Sequence, residues 1–345
     1  MAKWYEEEGE NHDVVISSRV RLARNLKDYP FSPKLTDKQA AELVEKVKAA
    51  APVIEEQTSR KYYSCNADIL DDTKKTAMVE RHIISPLFVT KKQTTGLILS
   101  EDESVSIMIN EEDHLRIQSI TGGMNIGAAF QEANRIDDIT SELFDYAFHE
   151  KYGYLTSCPT NVGTGLRASY MMFLPALTVA GRIIKLAEEL AQYGIALRGT
   201  YGEASKSVGS LYQISNQKTL GSTEKEIMEA LDRIVEQVMK QERRQREYFL
   251  TNNYDEFEDK VYRSYGILKY AKQISSSDAM SLLAQLKLGV DLNLINLGDD
   301  FNIHELMMEI QPGNLQCQLD KNVGSIERDK YRADYIRRKL PEPIG

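Results

Sequence analysis

Cys158-Pro159-Thr160-Asn161-Val162-Gly163-Thr164-Gly165-Leu166-Arg167 places a thiol, an amide, two hydroxyls, two glycines and an arginine within ten residues. Such a segment is poor core material. Glycine lets backbone N–H groups come close to a ligand, and an arginine fork can grip a phosphate in a way that lysine cannot match. Taken alone, the stretch reads either as a phosphate-handling loop with a thiol at its mouth or as a turn-rich connection around a buried cysteine. Four further stretches of the same chemical character decide between these readings.

The first is Asp13 to Asn25, whose β-branched run reads as a strand with Arg19 and Arg21 on one face. Two guanidiniums placed so repel each other unless something negative lies between them. His82 follows a helical pattern over Asp72 to Arg81. The hairpin Thr95–Ser100 and Ser104–Asn110 then runs into Asn110-Glu111-Glu112-Asp113-His114-Leu115-Arg116, an acidic knot inside a structural element. Finally Arg198-Gly199-Thr200-Tyr201-Gly202-Glu203 closes a strand that begins at Gly194. Around these, Thr36 caps a helix to Ala51, Tyr62–Cys65 is a strand, and residues 123–151 read as a helix. A further helix is expected over Met171–Tyr193 with Pro175 near its start, then a strand at Tyr212–Gln217. The capping box Thr223-Glu224-Lys225-Glu226 opens a long helix to about Leu250, and residues 257–310 read as helices.

Composition narrows the class. The chain has 345 residues, 42% hydrophobic and 28% charged, long enough for two domains. A net charge of −9 argues against nucleic acid as a partner, because such proteins need a basic surface. Any arginine cluster then serves a small anion. Three widely spaced cysteines do not make a disulfide framework, and the acidic N-terminus has no apolar signal segment. No apolar run is long enough to span a bilayer, so the expectation is a cytoplasmic protein without membrane attachment.

Five arginines (Arg19, Arg21, Arg116, Arg167, Arg198), two separated carboxylates (Glu112, Glu203) and Cys158 offer handling of an anion and of a cation together. Phosphoryl transfer is mostly positioning and charge stabilisation, so an arginine cage around a triphosphate with Mg²⁺ suffices. These motifs, in order, resemble the signature stretches of the phosphagen (ATP:guanido) kinases over roughly residues 13–250. The resemblance implies an α+β fold, an antiparallel sheet flanked by helices. It also implies ATP and Mg²⁺ as cofactors, with the metal held mainly by ATP. The implied ATP-binding residues are Ser18, Arg19, Val20, Arg21, His82, Arg116, Arg167, Ala168, Ser169, Tyr170, Met171, Arg198, Gly199, Thr200, Tyr201, Gly202 and Glu203. Glu112 and Glu203 are implied to hold the guanidinium, with Cys158 beside it.

Two departures refine the resemblance. Phosphagen kinases of small guanidines carry a helical domain before the first arginine motif; here barely a dozen residues precede it, and about ninety follow the long helix. This layout is similar to the bacterial protein-arginine kinases, with a catalytic domain at 13–250 and a C-terminal helical domain at 256–345. Arg328-Asp329-Lys330-Tyr331-Arg332-Ala333 resembles that group's phosphoarginine-binding stretch, with Asp329 expected to pair with an incoming guanidinium. The implied activity is transfer of phosphate to protein arginines as a quality-control tag. Protein substrates, an activator protein, a Clp-type protease system and a homodimer are implied as partners. The alternatives are a kinase of a free guanidine such as arginine, and a phosphoarginine-binding module with a degenerate kinase fold.

Overall fold

The computed structural model describes residues 3–6, 9–200, 207–298, 300–319 and 321–344. In chain order, β1 (Val15–Arg24) is followed by helices α1 (Asp37–Lys48) and α2 (Ala51–Thr58), β2 (Tyr62–Asn66), α3 (Asp72–Glu80) and α4 (Pro86–Thr90). The meander β3 (Gly96–Ser100), β4 (Val105–Ile109) and β5 (Leu115–Gly122) leads to α5 (Ile126–Leu143) and a two-stranded ribbon, β6 (Phe148–His149) and β7 (Gly153–Tyr154). Then come β8 (Leu166–Phe173), α6 (Pro175–Val179), α7 (Ile183–Gln192), β9 (Ile195–Gly199), β10 (Leu211–Asn216) and α8 (Glu224–Asn252). Five helices end the chain: α9 (Tyr254–Tyr270), α10 (Ser276–Asp291), α11 (Ile303–Glu309), α12 (Pro312–Cys317) and α13 (Ser325–Lys339).

Eight strands form one antiparallel sheet in the order β2-β3-β4-β5-β1-β8-β10-β9, with β1 near its centre. Because side chains alternate across a strand, the sheet has two distinct faces. One is apolar: Val20 and Leu22 of β1, Ile117 of β5, Ala168 and Tyr170 of β8 and Ile214 of β10 pack against α1, α5, α7 and α8 in one core. Helix α8 contributes Ile227, Leu231, Val235 and Val238, starting from the capping box at Thr223 and Glu226 that its sequence predicts. Among the described residues the opposite face is covered at its two ends and, at Ile120, by Trp4 and Met308. Met108 and Leu97 meet Met78, Ile83 and Phe88 of the α3–α4 region at one end. Ile16, Met171, Phe173 and Leu211 meet α9 to α13 at the other.

Two expected helices are shorter than their patterns suggest. The helix read over 123–151 ends at Leu143, because Phe144 turns to extended backbone and Leu26 bridges Tyr146. The helix read over Met171–Tyr193 is instead the end of β8 plus α6 and α7, split at Gly181, whose φ of +67° no helix accepts. Val179, the last residue of α6, is exposed.

Arg24 locks the sheet to α5. Its Nε and Nη2 donate to both carboxylate oxygens of Asp137, Nη1 donates to the carbonyls of Ala23 and Thr164, and its guanidinium lies 3.5 Å from the Tyr154 ring centre. Both partners are buried. Removing one member leaves an unpaired buried charge, a loss of about 3–5 kcal/mol. Asp137→Ala is therefore expected to lower the thermal midpoint by roughly 10 °C, read by circular dichroism melting.

Candidate active site

The strand registers bring the five arginines onto one face. Arg19 and Arg21 alternate on β1; Arg21 stands opposite Arg167 of β8, and Ala23 stands opposite Arg116 of β5. Arg167 shares its face with Met171, which pairs with Gln213 of β10, which in turn pairs with Arg198 of β9. All five guanidiniums therefore leave the sheet on the side that the helical core does not cover. Their mutual repulsion is visible in their acidities. Burial, then Arg116 and Arg167, draw Arg19 down to about 10, and burial with Arg19, Arg116 and Arg167 draws Arg21 well below its ordinary value. Burial, Arg198 and Arg116 lower Arg167, opposed by Glu112 and Cys158. Arg19 Nη2 donates to Gln213 Oε1 at 2.6 Å, whereas Arg21 Nε and Arg167 Nε are buried without a hydrogen-bond acceptor. Positive groups arranged this way suit a polyphosphate.

His82 sits at φ +59° just after α3, in a small cavity shared with Trp4, Arg19, Ser169, Met171 and Gln213. Burial and then Arg19, His304 and Arg21 hold its imidazole down to about 3, so it is neutral at physiological pH. Ser169 and Met171 are on the arginine face, but Ser18, Val20, Ala168 and Tyr170 point the other way. Val20, Ala168 and Tyr170 lie in the helical core, Tyr170 donating to Asp232, and Ser18 bonds the carbonyl of Gly123 and the amide of Asn125. Gly199 and Thr200 follow Arg198, while Tyr201, Gly202 and Glu203 lie outside the described residues.

The acidic knot is the bend between β4 and β5, and it is mostly buried rather than solvated. Glu111 accepts from Arg116 Nη1 at 2.7 Å, from the Glu112 amide at 2.8 Å and from Ser85 Oγ. Glu112, more open, accepts from Arg116 Nη2 at 3.2 Å. Asp113 accepts from Asn25 Nδ2 and from the Ser157 amide, which pins the residue before Cys158 to the same bend. Cys158 and Glu112 are both close enough to Arg167 to oppose the lowering of its pKa, and the Cys158 thiol lies 3.1 Å from Thr160 Oγ1. Sequence reading missed Glu111, Gln213 and Trp4. A signal for Glu111 exists in its place next to Glu112 at a strand end, but Gln213 is found only through the β9–β10 register.

The two glycines of the Cys158 loop have a packing reason of their own. A Cβ at Gly163 would stand 2.4 Å from the Thr219 carbonyl oxygen and one at Gly165 2.6 Å from Arg24 Nη1, so both are required by the chain's own close packing. In the C-terminal motif Arg332 and Asp329 are engaged with the chain itself. Arg332 is fully buried, donating from Nε to Ile310 O and from Nη1 to Ile274 O and to Asp329, so Asp329 is already engaged. A buried guanidinium needs that counter-charge. Arg332 Nη2 and Arg328 Nε, by contrast, are buried without acceptors. Lys330 is exposed and Ala333 is core.

An anion set among the five arginines would restore Arg19 toward its ordinary acidity. Binding of inorganic tripolyphosphate near pH 9.5 is therefore expected to take up protons, and affinity to fall as pH rises through about 10. Calorimetry in two buffers of different ionisation enthalpy measures the uptake, which Arg19→Met should reduce.

Residues 42–245 match the family described as ATP:guanido phosphotransferase, C-terminal catalytic domain, and residues 254–343 match the Protein-arginine kinase McsB C-terminal domain. Among solved structures, the duplicated taurocyamine kinase of Schistosoma mansoni with bound transition state analog components is similar at a TM-score of 0.60 and 28% identity. That likeness covers 68% of this chain and 34% of the duplicated one. A lombricine kinase is similar at 0.58 and 25% identity, over 68% of this chain and 67% of that one. The protein-arginine kinase of Brevibacillus brevis is 42% identical over 98% of this chain and 95% of its own length. That of Halalkalibacterium halodurans is 44% identical over 99% and 95%. With likeness of this degree along nearly its whole length, the chain belongs to the protein-arginine kinase family of the ATP:guanido phosphotransferases.

Proposed function

We propose that this protein transfers the γ-phosphoryl group of ATP to the guanidinium of arginine residues in proteins. The observation that carries the reading is the convergence of Arg19, Arg21, Arg116, Arg167 and Arg198 on one sheet face with Glu112 at its edge. In this reading residues 13–250 are the catalytic domain and 256–345 a helical domain. The arginines and His82 hold the nucleotide, with Ser169, Met171, Gly199 and Thr200 beside it. Ser18, Val20, Ala168 and Tyr170 act indirectly, by fixing the strands. Mg²⁺ is read as carried by the nucleotide's phosphates. Bound there, Mg²⁺ would add charge neutralisation to what the arginines supply.

A neutral guanidine is the nucleophile the reaction needs. With a pKa above about 12, arginine at pH 7 must give up its proton at a cost of roughly 7 kcal/mol. Glu112 takes that proton as the N–P bond forms and the bond from the γ-phosphorus to the ADP oxygen breaks. Glu203 clamps the guanidinium's other side and keeps the nitrogen in line. The Cys158 thiol, close enough to Arg167 to influence it, tunes the field at the reacting nitrogen. No helix among the described residues is long and apolar enough to cross a membrane; the cytoplasmic setting expected from the sequence is kept as part of this reading. An activator protein, a Clp-type protease that consumes the tagged product, a role in stress-related quality control and a homodimeric state complete the reading by family resemblance.

The direct test offers Mg·ATP with an unfolded protein and, separately, with free arginine, and seeks acid-labile phosphoarginine by mass spectrometry. Label on the protein supports the reading; label on free arginine alone overturns it. Glu112→Gln should lower kcat by about 10²-fold or more while the Kd for ATP changes little.

The Arg328-Asp329-Lys330-Tyr331-Arg332-Ala333 motif is read as an allosteric phosphoarginine pocket, supported by the acceptor-less Arg332 Nη2 and Arg328 Nε. Asp329 would exchange Arg332 for the incoming guanidinium. Linkage is reciprocal, so occupancy must alter substrate or nucleotide affinity. Replacing Arg328 and Arg332 with Ala together should abolish both phosphoarginine binding and its effect on rate; a wild-type response would reduce the motif to a helix face.

A further inference from the structure

Gln213, in β10, belongs to none of the sequence motifs. Arg19 pairs in register with Ser169 of β8, and Gln213 pairs with Met171, two residues further along the same strand. Both side chains leave the arginine face of the sheet. Strand β8 lies between their strands, so their backbones are at least about 10 Å apart. Arg19 Nη2 nevertheless reaches Gln213 Oε1 at 2.6 Å. The Arg19 side chain therefore crosses β8 beside Ser169 and Met171, which line the same small cavity.

The kind of anchor sets Arg19 apart from the other arginines. Arg116 is tied by Glu111 at 2.7 Å and by Glu112 at 3.2 Å, carboxylates that offset its charge while they aim it. Arg21 and Arg167 each keep a buried Nε without an acceptor. Gln213 offers Arg19 an amide oxygen, which fixes direction without cancelling charge. Such a hold is needed because Arg116 and Arg167 both repel Arg19. One N–H on the amide also leaves the rest of the guanidinium fork for phosphate oxygens.

We propose that Gln213 is a positioning residue of the nucleotide site, holding the Arg19 guanidinium across β8 with its charge and its remaining N–H groups presented to the polyphosphate. This inference deepens the kinase reading above and rests on it for the identity of the anion.

The test is a double-mutant cycle read with inorganic tripolyphosphate and with ATP. Gln213→Met keeps the length of the side chain and removes the acceptor. It should weaken binding of either probe by about tenfold, with the loss falling on the KM for ATP more than on kcat and the melting midpoint unchanged. Because Gln213 acts through Arg19, the same substitution should cost little further affinity in an Arg19→Met background. Gln213→Glu places a carboxylate against Arg19 and should weaken binding more than Gln213→Met does. It should also reduce the proton uptake on tripolyphosphate binding near pH 9.5, since Arg19 is then protonated before the anion arrives. Arg21 and Arg167 face the same anion with lowered pKa values, so the uptake falls without vanishing. A residue that only packs β10 predicts additive losses and equal effects of the Met and Glu variants. Additive losses, unchanged binding by Gln213→Met, or equal binding by Gln213→Met and Gln213→Glu overturns the proposal. Non-additive losses with tripolyphosphate in a protein that phosphorylates no arginine count against the kinase reading alone.

Discussion

Five guanidinium groups on one face of an antiparallel sheet repel one another, and the rest of the structure is what holds them there. Each lowers its neighbours' affinity for a proton, and Arg21 and Arg167 keep buried nitrogens without acceptors. An arrangement this unfavourable persists only where surrounding contacts over-determine it. Here the alternate residues of the same strands supply those contacts. Val20 and Leu22 on β1, Ala168 and Tyr170 on β8 and Ile117 on β5 are buried in the helical core, and a slip of one residue would exchange them with the arginines. The apolar face thus sets the register, and the register sets the charge cluster. This is the usual relation between a destabilised site and the scaffold that tolerates it.

The C-terminal helices are part of this scaffold rather than an appendage. Glu80, at the end of α3, accepts from the amides of Gly313 and Asn314 at the start of α12, and Arg81 Nη1 donates to Asn314 Oδ1. His82 follows immediately, beside Arg19. From the other direction, Arg332 of α13 grips Ile310 between α11 and α12. Hydrogen bonds joined by short stretches of chain therefore run from the C-terminal arginine motif to the turn that carries His82. Packing adds a second connection, since Trp4 lies between Ile120 of the reactive face and Met308 of α11. Contiguity of this kind is the physical condition for coupling between the two places, though coupling itself is a difference in affinity.

Much of this was legible in the sequence because it depends on local rules. The period-two placement of Arg19 and Arg21, the Thr36 and Thr223 caps and the β3–β4 hairpin each follow from residues within a few positions of one another. What was not legible depends on partners distant in sequence. Gly163 and Gly165 read as ligand-approach glycines because nothing nearby shows that Thr219 and Arg24 press against them. Asp329 read as open to a ligand because the burial of Arg332 against Ile274 and Ile310 is a tertiary fact. The pattern after Leu143 kept a helical period by composition, yet the chain there pairs with Leu26. Likewise the apolar run through Met171 and Phe173 has no period that separates a buried strand from a buried helix.

The acidic bend shows how the same residue type takes two different parts within one short segment. Glu111 is enclosed, with Ser85, the Glu112 amide and Arg116 all donating to it, so its charge is spent on holding the bend and aiming Arg116. Glu112 has only the longer contact with Arg116 Nη2 and keeps a partly open side chain. A carboxylate already resting on one guanidinium is shaped to accept from another, since the two offer the same planar N–H fork. The longer, more exposed bond is also the cheaper one to exchange, because surface pairs contribute little compared with enclosed ones. Asp113 then fixes the distance to the thiol loop through the Ser157 amide. Of the three consecutive acids, the middle one is thus the least engaged, which suits the part given to it in the proposed reaction, and its two neighbours are occupied in shaping the bend.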